Sequence, residues 1–132
     1  MKVMLGMGCD RGTSLATLES AIQQALNSVD ISINDVQALA TIDKKNDEQG
    51  LLSLAEKYHW PMHFFNASQL CEIEVPNPSE VVRKYMGTPA VAEAAALLAA
   101  ETTMKDLIIE KYKFRGDDDK NATVSIVRMN DE

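Results

Sequence analysis

Lys2-Val3-Met4-Leu5-Gly6-Met7-Gly8-Cys9-Asp10-Arg11-Gly12-Thr13-Ser14 decides the fold. Residues 2–7 are rich in Val, Met and Leu and predict a strand. The glycines at 6, 8 and 12 predict a tight turn after it. Apolar residues then recur at Leu15, Leu18, Ile22, Ala25, Leu26 and Val29. That 3.6-residue period predicts a helix with Thr13 or Ser14 as its N-cap. Strand, glycine loop and helix open a βαβ unit, the mark of an α/β fold.

Outward from that stretch, Asn34-Asp35 marks a turn and Val36 to Ile42 predicts a second strand. Asp43 to Asp47 is a polar loop. Leu51, Leu54, Ala55 and Tyr58 share one face of a second helix, with Asn46 and Gln49 as its expected capping pair. Trp60-Pro61 stops it, and Met62 to Phe65 predicts a third strand. Asn66 caps a short turn through Leu70 and Cys71. Asn77-Pro78-Ser79-Glu80 predicts a helix capped by Asn77, with Pro in the first position. Gly87 ends that helix. Thr88-Pro89 repeats the start signal, and Val91 to Ala100 is so apolar on every side that burial is expected. Leu107 to Phe114 and Ala122 to Arg128 predict an antiparallel hairpin closed by the acidic turn 115–121. The order β-α-β-α-β-α-α-β-β implies a layered α/β domain over 1–132 with a mixed sheet.

Composition narrows the function classes. The chain has 132 residues, 45% hydrophobic and 25% charged, which fits one folded domain and disfavours disorder or coiled coil. The net charge of −7 disfavours a nucleic-acid partner. No apolar run is long enough to span a membrane. The opening residues are too short and glycine-broken for a secretory signal, so a reducing cytoplasm is expected. Cys9 and Cys71 make neither a disulfide framework nor a zinc ribbon.

Few residues stand out chemically. The glycine loop with Arg11 reads either as an anion site at a helix N-terminus or as a tight turn bearing an exposed arginine. It is neither a Rossmann fingerprint nor a P-loop. Asp43, Lys44 and Glu48 follow the second strand, where ligands gather in open α/β sheets; the alternative is a solvated charged loop. Cys9 is read as a packing residue and Cys71 as core. His59 and His63 flank a proline that breaks any shared helix, so metal ligation is not expected. Glu93 interrupts the apolar helix and needs a partner, structural or functional. Lys111 and Lys113 share one face of a strand, toward a groove or toward solvent. The 117–119 aspartates are expected to solubilise the hairpin.

Taken in order, several stretches resemble the C-terminal domain of CbiG and the related stand-alone CobE, a family of cobalamin biosynthesis. They are residues 6–14, 38–45 with Glu48 and Gly50-Leu51, 76–82, 87–97 and 123–128. The resemblance covers about Met4 to Arg128. It implies a three-layer α/β/α sandwich with a mixed, mostly parallel sheet. It also implies work on a precorrin-type tetrapyrrole: hydrolysis of the cobalt-precorrin-5A lactone with release of acetaldehyde, or non-catalytic carriage of the intermediate, docked on another corrin-pathway enzyme. No cofactor and no metal ligand set is implied.

Such tetrapyrroles carry many carboxylates. The resemblance therefore assigns ligand contacts to Gly8, Cys9, Arg11, Gly12, Thr13, Lys44 and Lys111, through charge-assisted hydrogen bonds. For hydrolysis, Asp43 or Glu48 would deprotonate water and the amides of Gly8 to Gly12 would hold the oxyanion. The resemblance reaches only the C-terminal part of a full CbiG, so the N-terminal part is expected to be missing. An acidic loop at the mouth would repel a polycarboxylate, so 115–121 is expected to point away.

Overall fold

A computed structural model describes residues 1–130; Asp131 and Glu132 lie outside the described residues. Five strands form one sheet: β1 (Val3–Cys9), β2 (Val36–Ile42), β3 (Met62–Phe65), β4 (Leu107–Arg115) and β5 (Asn121–Arg128). Their order is β3-β2-β1-β5-β4. β1 pairs parallel with β2, and β2 with β3. β5 runs antiparallel to both β1 and β4, so β4 points the same way as β1. The sheet is mixed with one opposed strand, as the sequence implied.

Helices cover both faces: α1 (Leu15–Ser28), α2 (Gln49–Tyr58), α3 (Ala67–Cys71), α4 (Glu80–Met86) and α5 (Ala92–Ala99). The alternation of β1 sorts its side chains between two cores. Val3, Leu5 and Met7 pack with Leu18, Ile22 and Leu26 of α1 and Leu51 and Leu54 of α2. Met4 joins Ala38, Ala40 and Ile42 of β2 against the Ala-rich α5 and Leu70. Helix, sheet and helix make three layers.

Alpha-5 is buried from Ala92 to Leu97. Its small side chains let its backbone approach the sheet at Gly6, where a Cβ would stand 1.8 Å from Ala92 O. That close approach requires glycine and fixes the start of α5 over the strand ends.

Three helix starts differ from expectation. Ser79, not Asn77, caps α4, its Oγ accepting from Val82 N. Asn77 is drawn away by β4: its Nδ2 donates to Glu110 Oε1 (2.8 Å) and its carbonyl accepts from Lys111 Nζ (2.9 Å). Glu48 is the N-cap residue of α2 but lends it no side-chain bond, because its carboxylate serves the glycine loop. Val91 precedes α5 without a side-chain cap, while the Thr88 hydroxyl turns back to Ala90 O (3.0 Å). Cys71 is exposed rather than core, with its thiol donating to Gly87 O. His59 and His63 are both exposed.

Candidate functional site

A cleft of about 390 Å³ opens where β1 ends. One wall is the glycine loop from Gly8 to Arg11. The second is β4 and β5 through Lys111, Lys113, Asn121 and Thr123. The third is the start of α5, from Ala90 to Glu93, with Ser79, Val82 and Met86 of the α4 region. Lys45 closes the floor from the turn after β2. This is the carboxyl end of the parallel strands, the usual ligand side of an open α/β sheet.

Four cationic side chains line it (Arg11, Lys45, Lys111, Lys113) against two acidic ones (Asp10, Glu93). The cleft is thus locally basic in a chain of net charge −7. Lys45 is only 8% exposed. It has no ion-pair partner among the described residues. Its charge acts on the exposed Asp47 carboxylate from beyond ion-pair distance, and an anion in the cleft would give it a direct partner.

The glycine loop itself is already satisfied. Gly12, with φ at +78°, turns its N–H to Glu48 Oε1 at 2.7 Å. Ser14 N donates to Asp118 Oδ2 (3.0 Å), Thr13 N to Asp10 O (3.3 Å) and Asp10 N to Asn121 O (3.0 Å). The N-terminus of α1 is therefore held by the protein's own carboxylates. Arg11 is held as well: Nη1 reaches Asp47 (2.7 Å) and Glu48 (3.1 Å), and Nη2 reaches Lys44 O (2.6 Å). Its hydrogen bond to Asp47 pushes the guanidinium above its ordinary value and pulls the Asp47 carboxyl down.

Asp118 corrects the expectation that the 117–119 aspartates only solubilise the hairpin, although none of the three lines the cleft. It caps α1 by accepting from Ser14 N and from the Thr17 hydroxyl (2.9 Å). The Ser14 amide, then Thr17 and the Lys120 amide, hold its carboxyl down at about 2. Asn121, at the end of the same turn, lines the cleft and binds Asp10 Oδ2 through its N–H (2.8 Å).

Glu93 is 2% exposed and faces the cleft from the first turn of α5. Its Oε2 accepts no well-aligned hydrogen bond, although Lys111 Nζ stands 3.3 Å away. Burial pushes the carboxyl above its ordinary range, with Lys111 opposing and Glu110 adding to the rise. A bulge in β4 builds this corner. Ile109 pairs with Ile126 and Tyr112 with Val124, so three steps on β4 match two on β5. Such a bulge re-aims the side chains it contains. Here Glu110 and Lys111 both reach Asn77.

Of the residues expected from sequence, Gly8, Cys9, Arg11 and Lys111 line the cleft. Gly12 and Thr13 lie in the loop behind it; the Thr13 hydroxyl donates to Asp10 O (2.6 Å). Lys44 is exposed and reaches Met86 O at 3.5 Å, bridging to the end of α4. Asp43 is exposed, and Glu48 is buried with both oxygens engaged inside the loop; neither lines the cleft. Burial raises the Cys9 thiol, the opposite of an activated thiolate. Lys45 was missed because it stands beside Lys44 in a charged run, and only the 3-10 turn Asp43–Lys45 shows which of the two points inward. Among the described residues no group of three or more His, Cys, Asp or Glu is placed to hold a metal. Nor is any described helix long and apolar enough to cross a membrane.

Comparison with known proteins agrees with this architecture. Cobalt-precorrin-5A hydrolase of Priestia megaterium is 38% identical over 122 residues, 92% of this chain and 31% of that protein. Protein CobE of Sinorhizobium sp. is 34% identical over 101 residues, 74% of this chain and 65% of that protein. The chain thus spans about a third of the hydrolase and just under two thirds of that CobE. The crystal structure of a CobE from the cobalamin (vitamin B12) biosynthetic pathway superposes with a TM-score of 0.82 at 35% identity, covering 99% of this chain and 92% of that one. A family model described as "Cobalamin synthesis G C-terminus" matches residues 3–127, and the chain belongs to that family.

Proposed function

We propose that the chain binds a precorrin-type polycarboxylate tetrapyrrole in the cleft at the end of β1, as a step of cobalamin biosynthesis. The observation that carries this is Lys45, nine-tenths buried, without an ion-pair partner among the described residues, and lining a cleft that also holds Lys111 and Lys113. Carboxylates of the ligand supply Lys45 with a direct partner, and add to those of the other two lysines, through charge-assisted hydrogen bonds. Val82, Met86 and Pro89 offer apolar contact to the macrocycle edge. Arg11 and Glu48 position the glycine loop rather than contact the ligand.

The cleft's 390 Å³ is near the small end of the ~300–1,000 Å³ that suits drug-sized ligands. A tetrapyrrole is larger, so it enters by one edge and leaves the rest of the ring uncovered. That geometry supports a chain that presents the intermediate to a second protein or domain. Hydrolysis of the cobalt-precorrin-5A lactone would then be completed on the uncovered side.

Absorbance titration of the chain with a cobalt-corrin polycarboxylate tests this. Saturable binding is expected, weakened roughly tenfold or more by Lys45→Ala, the effect of losing one charge-assisted hydrogen bond. No saturable binding, or equal binding by wild type and Lys45→Ala, overturns it.

A further inference from the structure

The corner where α5 meets β4 has an unexplained chemistry. Glu93 and Glu110 each keep a buried carboxylate oxygen without a hydrogen-bond partner. One ammonium, Lys111, lies between α5 and the strap at Asn77, 3.3 Å from Glu93 Oε2 and 2.9 Å from Asn77 O. Two carboxylates and one lysine leave the corner one negative charge in excess. A buried site with that imbalance holds a proton more cheaply than a bare charge. Among the two glutamates, only Glu93 lines the cleft.

We propose that Glu93 is the hydrogen-bond-donating carboxylic acid of the cleft, gripping one carboxylate of the ligand through its O–H while Lys111 supplies the charge. This rests on reading the cleft as a polycarboxylate-tetrapyrrole site. In the free chain Glu93 has its own backbone N–H and the Lys111 ammonium beside it, but its Oε2 accepts no well-aligned hydrogen bond; the ligand carboxylate supplies an acceptor for the carboxyl O–H. Lys111 then swings between its hold on Asn77 O and the same ligand group. Deprotonation of Glu93 turns the donor into a like charge beside the ligand and weakens the grip.

The charged surroundings are explicit. Lys111 favours the carboxylate form and Glu110 opposes it, both from β4. Round the rest of the cleft stand Lys113, Lys45, Arg11, Asp10 and the Cys9 thiol. Arg11 is already paired with Asp47 and Glu48. Burial, the largest cause of the rise at Glu93, outweighs the nearby ammonium.

The test titrates a cobalt-corrin polycarboxylate against wild type and Glu93→Gln across pH. The glutamine keeps the shape and an N–H donor but has no proton to lose. In wild type the affinity falls by up to about tenfold per pH unit above the Glu93 pKa, the slope of one linked proton. In Glu93→Gln that component is absent and the affinity stays near the low-pH wild-type value. A parallel ¹³C NMR titration of the free wild-type chain follows the Glu93 carboxyl carbon, which is expected to titrate above the ordinary glutamate range of about 4.3. Equal pH slopes in the two chains, or a Glu93 carbon titrating in the ordinary range, overturn this proposal alone. A wild-type chain that binds no corrin at any pH overturns the tetrapyrrole reading, and this proposal with it.

Discussion

Glu48→Ala separates a structural carboxylate from a catalytic one. Glu48 is 4% exposed; its Oε1 accepts the Gly12 N–H at 2.7 Å and its Oε2 the Arg11 guanidinium at 3.1 Å. Removing the acceptor of a part-buried backbone N–H, here a charged one, costs about 1.5–3 kcal/mol. The lost methylene adds about 0.8 kcal/mol. Arg11 is solvent-exposed and keeps Asp47, so its share is screened and small. The expected loss is about 2–4 kcal/mol. For a chain of 132 residues that is a melting-point drop on the order of 10 °C. Urea unfolding followed by far-UV circular dichroism measures it, and the midpoint should fall with the slope unchanged. Glu48→Gln keeps an oxygen for Gly12 and should recover more than half of the loss. Wild-type stability in Glu48→Ala would refute the claim that this carboxylate holds the glycine loop.

Three further outcomes follow from the same geometry. Asp118 has its carboxyl held near 2 by the Ser14 amide, so its stabilising effect is complete above the ordinary aspartate range and is lost as pH falls toward 2. Asp118→Asn should flatten that acid limb of a stability–pH curve, and an unchanged limb contradicts the capping role. Gly6→Ala drives a Cβ to 1.8 Å from the Ala92 carbonyl, a backbone atom that can yield only if α5 moves. The expected cost is about 3 kcal/mol or more by thermal melting, and a variant as stable as wild type would mean that α5 is not seated on β1 as described. Arg11→Ala should weaken corrin binding less than Lys45→Ala in side-by-side titrations, because Arg11 is engaged by the loop. The reverse ranking would make Arg11 a direct ligand contact.

Local signals carried much of the fold. The strand, glycine loop and α1 periodicity lie within one stretch, and Ser14 caps α1 through a bond to Thr17 N, as the residue types suggested. The hairpin and the buried α5 were equally visible, since both depend on neighbouring residues. Long-range contacts decided the rest. Asn77 looked like a cap but is recruited by Glu110 and Lys111, more than thirty residues away. Asp118 looked like a solubilising charge, yet it caps a helix 104 positions back in the chain. The glycine loop read as an anion site or as a tight turn bearing an arginine, and tertiary folding brings Glu48 and Asp118 onto its amides. The same folding moves the cationic character to Lys45, Lys111 and Lys113, and Glu93 acquires its meaning only when β4 bulges against α5.

The most direct test of the central claim is amide chemical-shift mapping of the ¹⁵N-labelled chain on addition of a diamagnetic cobalt-corrin polycarboxylate. The account predicts that perturbed amides cluster at Gly8 to Arg11, Ala90 to Glu93 and Lys111 to Lys113, the three walls of the cleft. Perturbations gathered elsewhere on the molecule, or none at saturating ligand, would contradict it.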